Sequence, residues 1–150
     1  MRSSSSGPRK LSSARASMIT KVCHIAVADL WGGAEVHLVT LLLSLSKIQD
    51  LEMSVVLFTE GRVAQELRAA GLEVVVIAEH EHNLFVILWK LVKHFRKHQF
   101  MVVHAHKPKD NFLGGVACRL AGVPYLVRTL HGSWEPFSGF QHFKIKVYEH

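Results

Sequence analysis

Residues 100–130 read FMVVHAHKPKDNFLGGVACRLAGVPYLVRTL. Phe100–His104 is a short apolar run rich in β-branched residues, the pattern of a strand covered on both faces. Asp110 is placed to cap a helix that runs to about Ala121. Gly122 and Pro124 then stop it, because glycine accepts the left-handed turn and proline cannot continue a helix. Tyr125–Leu130 (YLVRTL) is strand-like again. Two strands joined through a helix are the unit of a parallel sheet, since parallel neighbours need a long crossover.

The same alternation extends outward. Val22–Ala28, Met53–Phe58 and Glu73–Ile77 read as strands. Ala34–Ser46 reads as a helix with apolar residues on most faces, hence largely buried. Val63–Ala70 is a short amphipathic helix with Gly71 in the terminating role. Leu84–His98 carries apolar residues at 84, 88, 91, 92 and 95, which is helical spacing. Phe140–His150 is expected to begin a further helix. The pattern predicts an α/β fold: a doubly wound parallel sheet with helices on both faces, Rossmann-like. No internal repeat or low-complexity segment interrupts it.

Composition narrows the function classes. Apolar residues make up 49% and charged residues 20% of 150, ordinary for a globular core. The formal charge of +6 comes mostly from the first 21 residues, where Arg2, Arg9, Lys10, Arg15 and Lys21 meet no acid. The rest holds 13 basic against 12 acidic residues, so the body is near neutral and no nucleic-acid partner is expected. Residues 1–18, basic and Ser-rich, are expected to form a disordered leader, or an upstream stretch before a start at Met18. They lack the apolar core of a secretory signal. No segment reaches the ~18 uninterrupted apolar residues of a membrane span. Cys23 and Cys118 sit in apolar runs and read as reduced core thiols, which fits a cytoplasmic setting.

In doubly wound sheets, ligands bind beyond the carboxyl ends of the strands, where strand order reverses. With the common order 3-2-1-4-5, the turns after strands one, four and five converge there. The first holds Gly32 and Gly33 at a helix start, which suits a close backbone approach to a phosphate. The second holds His104, His106, Lys107 and Asn111. The third holds His131 and Gly132. His104 and His106, two apart, face the same side if the strand persists. The reading here is a buried His104 and an exposed His106. A metal pair would need His131 as third ligand. Glu35 is read as a complement to the helix dipole. Gly114-Gly115 inside a helix implies close packing on the sheet.

Three stretches, WGGAEVHLVTLLLSL (31–45), GRVAQELRAAGLEVVVI (61–77) and VVHAHKPKDNFLGGVACRLAGVPYLVRTLHG (102–132), together resemble the amino-terminal domain of glycosyltransferase family 4. The resemblance covers about residues 19–150. It implies half of a two-lobed enzyme that moves a sugar from a nucleotide-sugar donor to an acceptor with retention. The nucleotide-sugar is a co-substrate, and neither a cofactor nor a metal is expected. It implies catalytic roles for His131 and His106, and substrate contacts for Gly32, Gly33, Lys107, Asn111 and Gly132. The donor-binding carboxyl-terminal domain has no counterpart in these 150 residues, so the chain alone is expected to be inactive.

The expected partners are a nucleotide-sugar donor and a glycan, lipid-linked or small-molecule acceptor. The basic helix 84–98 adds peripheral contact at the inner face of a membrane. Two other readings stand beside this one. The first is a non-catalytic module docking on a membrane or partner through helix 84–98. The second is a metal hydrolase built on His104, His106 and His131.

Overall fold

The computed structural model describes residues 18–28 and 30–129. The elements alternate along them: β1 (Thr20–Ala26), α1 (Gly33–Leu45), β2 (Leu51–Leu57), α2 (Arg62–Ala69), β3 (Glu73–Val76), α3 (Leu84–His98), β4 (Val102–Ala105), α4 (Pro108–Ala121) and β5 (Tyr125–Arg128). All pairings are parallel and the order is β3-β2-β1-β4-β5. Strand order reverses between β1 and β4, as in the common order assumed for the sequence. The leader, Leu130, His131, Gly132 and the helix expected at 140–150 lie outside the described residues.

The sheet separates two apolar layers. Cys23, Ile25 and Val27 pack with Val103, Ala105 and the inner residues of α3 and α4, including Leu91, Phe95, Leu113 and Ala117. Ala26 and Ala28 pack on the other side with Leu38 and Leu42 of α1 and Val63 and Leu67 of α2. The two-residue period of β1 therefore feeds both layers. Cys23 and Cys118 are free and buried, and burial raises both thiols, Cys118 to about 12. Such thiols are inert packing groups.

Helix ends follow their local chemistry. Asn83 caps α3, its side chain accepting from Val86 N–H at 3.0 Å. Gly71 and Gly122 take left-handed angles, φ +82° and +77°, after α2 and α4. α3 ends instead on Gln99 at φ 54°. A Cβ on Gly114 would lie 2.3 Å from Ile25 Cδ1, so glycine there lets α4 press onto β1.

Two expectations are corrected. α4 begins at Pro108 with Lys107 as N-cap, and Asp110 sits inside its first turn. Proline favours the first helical position, where no N–H is needed. The Asp110 carboxylate turns inward and accepts from Val27 N–H at 3.1 Å, clamping α4 to the end of β1. α1 is also less buried than expected: only Glu35, Leu38, Val39 and Leu42 are covered, and Val36 is 45% exposed. It lies on a single sheet face, so its outer side meets solvent.

Candidate functional site

The turns after β1 and β4 meet at the carboxyl edge of the sheet. A small crevice there is lined by Ala26 and Val27, by Ala34, Glu35 and Leu38 of α1, and by His106 and Lys107. His106 N–H donates to the Ile25 carbonyl at 3.3 Å, carrying the β1–β4 ladder one step beyond the strand.

Glu35 joins the two turns. It is buried in the first turn of α1, 6% exposed. One carboxylate oxygen accepts from Gly32 N–H at 3.1 Å and the other from Lys107 Nζ at 3.0 Å. Burial alone would raise its pKa, but the bonds from Lys107 and Gly32 prevail and hold the carboxyl below its ordinary value. Glu35 thus does more than complement the helix dipole: it fixes the glycine turn against the β4 turn. Lys107 serves this ion pair, at about one-third exposure.

Gly32 caps α1 in an extended conformation and Gly33 opens the helix. Both are exposed. A Cβ built on Gly33 meets nothing within 4 Å, and its φ is not left-handed. Neither backbone angle nor packing among the described residues therefore calls for glycine at 33. This end of α1 carries the partial positive charge of a helix start, which favours an anion.

The histidines are placed differently from expectation. His106 is buried, 4% exposed, whereas His104 is half-buried. The two rings do share a side, with centroids 4.1 Å apart. The third member of the cluster is His24, opposite His104 in the β1–β4 register. Its Nδ1 lies 3.1 Å from His106 Nε2. His104 Nε2 lies 2.7 Å from Thr129 Oγ1 on the chain after β5. Burial, and then the neighbouring His104, push His24 down to about 3, and burial also lowers His104. His24 and His104 are therefore neutral at pH 7.

The structure thus brings Gly32, Gly33, His106 and Lys107 to one edge. Asn111 is in the first turn of α4 but buried, so it does not face the crevice surface. His131 and Gly132 lie outside the described residues. Sequence reading missed His24 and Asp110. The alternation of β1 puts His24 on the α1 side with Ala26 and Ala28, and pairing β1 with β4 in register would have found its partner.

Residues 31–149 match Glycosyltransferase Family 4. A curated relative is the UDP-Gal:alpha-D-GlcNAc-diphosphoundecaprenol alpha-1,3-galactosyltransferase of Escherichia coli. It is 47% identical over 47 residues, which are 31% of this chain and 11% of that protein. Among solved structures, Anabaena HepE in complex with UDP and glucose superimposes with TM-score 0.66 and 21% identity. The match covers 85% of this chain and 35% of HepE. A UDP-N-acetylglucosamine 2-epimerase gives TM-score 0.60 and 16% identity, over 83% of this chain and 36% of that one. Both are likenesses of fold. The chain spans about a third of the length of these structures.

Proposed function

The chain belongs to Glycosyltransferase Family 4, and from that premise we propose that it forms the acceptor-side lobe of a retaining glycosyltransferase. The donor is a nucleotide-sugar of the UDP class and the acceptor a sugar on a lipid diphosphate. The named partners of the Escherichia coli relative and of HepE support both assignments. The observation that carries the reading is Gly33, a glycine that packing among the described residues does not require, at a helix start on the carboxyl edge of the sheet. Its bare backbone leaves room for a diphosphate or sugar to approach the first N–H groups of α1. Glu35 and Lys107 hold the turn still, so binding costs little ordering.

His106 enters this reading as a wall of the crevice, backed by His24, and its contact with a sugar requires the ring to turn. His131 and Gly132 are proposed to complete the edge from the turn after β5. Transfer also needs a donor-holding lobe, because the reacting groups must be held together in geometry.

α3 gives the lobe a membrane-facing surface. It follows β3 and so begins at the same carboxyl edge. Phe85 and Trp89 are 81% and 60% exposed, and Lys93 Nζ lies 5.0 Å from the Trp89 ring centroid. Exposed aromatics beside lysines suit an anionic lipid interface. No helix among the described residues is long and apolar enough to cross a membrane.

The test is Gly33→Val. It is expected to leave Tm within the small range of a surface change, about 0.5 kcal/mol, while abolishing the amide shifts that UDP-hexose induces at Gly32–Glu35. Shifts that persist unchanged in the variant would remove this turn from the site. For α3, flotation with anionic vesicles is expected at low salt and should be weakened by Phe85→Ser with Trp89→Ser. Equal flotation of the variant would exclude that surface.

A further inference from the structure

We propose that His24, His104 and His106 form a binding site for a borderline first-row divalent cation, of which Zn2+ is the type. The site shares His106 with the crevice wall, but the argument for it does not rest on the sugar-binding reading. One ring nitrogen of each histidine lies within 4.8 Å of the others. The His24 and His106 nitrogens are already 3.1 Å apart. A tetrahedral zinc ion with Zn–N bonds of ~2.0–2.1 Å separates its ligand nitrogens by ~3.3 Å. The His24 ring centroid lies 5.1 Å from that of His104 and 5.4 Å from that of His106. These are close to the ~5.2 Å that the same bond lengths give two imidazoles on one tetrahedral ion. Only the His104–His106 pair, at 4.1 Å, must open slightly.

The nitrogen that would ligate is His24 Nδ1; Nε2, buried with no hydrogen-bond partner among the described residues, lies on the far side of the ring and takes no part. Thr129 meets His104 Nε2 in the way that outer-sphere partners orient ligating imidazoles. His104 is half-buried beside exposed Val127, its register partner on β5, which leaves a route for the ion. An all-imidazole donor set selects Zn2+, Co2+, Ni2+ or Cu2+ over Mg2+, Mn2+ or Ca2+, which prefer oxygen. The ion would cross-link β1 to β4 and fix the His106 ring in the crevice wall.

The experiment titrates the metal-free chain with Co2+, reads the visible bands of a tetrahedral ion, and competes them with Zn2+. One equivalent is expected to bind, and Zn2+ to raise Tm while Mg2+ does not. His104→Ala and His104→Asn, each checked for fold by circular dichroism before metal is added, should weaken binding at least ~10-fold. The surface pair His80→Ala with His82→Ala should bind as wild type. No stoichiometric binding overturns the proposal. So does binding that survives both His104 variants, or binding lost in the surface pair. An equal response to Mg2+ would also overturn it.

Discussion

Glu35 carries more of the site than its place in the sequence suggests. It stands in a first helical turn, where an acid is favourable anyway, and nothing in its neighbours names Lys107, 72 positions away, as a partner. Contacts at that separation come from topology, which explains why the sequence yields the glycines and histidines as candidates but not the carboxylate that holds them. The same reason hides His24, an ordinary strand residue until β4 is laid beside it. Glu35→Gln is expected to lower stability by about 1–2 kcal/mol at pH 7, since it weakens two charge-assisted bonds. The folded carboxyl titrates below its ordinary value of 4.5. Its contribution is thus complete above that value and is lost as pH falls from there through the lower folded value. Urea unfolding from pH 7 to pH 3 should show this slope in the wild type and not in the variant. Gln99 offers a change of opposite sign. It is exposed and held at φ 54° to end α3, an angle costly for a side chain with a Cβ. Gln99→Gly should raise stability by about 0.5–1 kcal/mol, and an unchanged or lower denaturation midpoint would contradict this.

Among the described residues, the nine helices and strands were all legible, because apolar period and Gly or Pro punctuation agree there. Their ends were less so. Asp110 has the chemistry of a cap, but Pro108 sets the start of α4 and frees the aspartate to bind Val27 N–H. The apolar count of α1 suggested deep burial, yet a helix on one sheet face buries one side only. Gly114 was read correctly as a close approach, with Ile25 as the residue approached. Gly114→Ala should therefore destabilise by about 1–3 kcal/mol through overpacking, despite the ~1 kcal/mol that alanine adds to helix propensity. Ile25→Val removes the Cδ1 atom that the new methyl would strike. The double variant should lose less than the two single losses together, a coupling that thermal denaturation of the four proteins would measure. Additive losses would mean that α4 shifts as a body.

For the whole molecule, the order β3-β2-β1-β4-β5 is what turns scattered polar turns into one edge. That order is the common one for doubly wound sheets; alternation of elements and crossover handedness alone allow others. What the pattern does not encode is chemistry: an epimerase shares the fold, so topology alone leaves the reaction open. Membership of Glycosyltransferase Family 4 supports the proposal of sugar transfer, and that proposal puts the donor at the turn of Gly33. The most direct measurement follows labelled hexose from its UDP donor in membranes expressing the reading frame this chain comes from. An undecaprenyl-diphosphate-linked sugar serves as acceptor. The account predicts label in the lipid phase, falling ~100-fold in Gly33→Val through misplacement of the reactants. Label that stays on the nucleotide with the wild type, or that moves to lipid equally well in the variant, would contradict it.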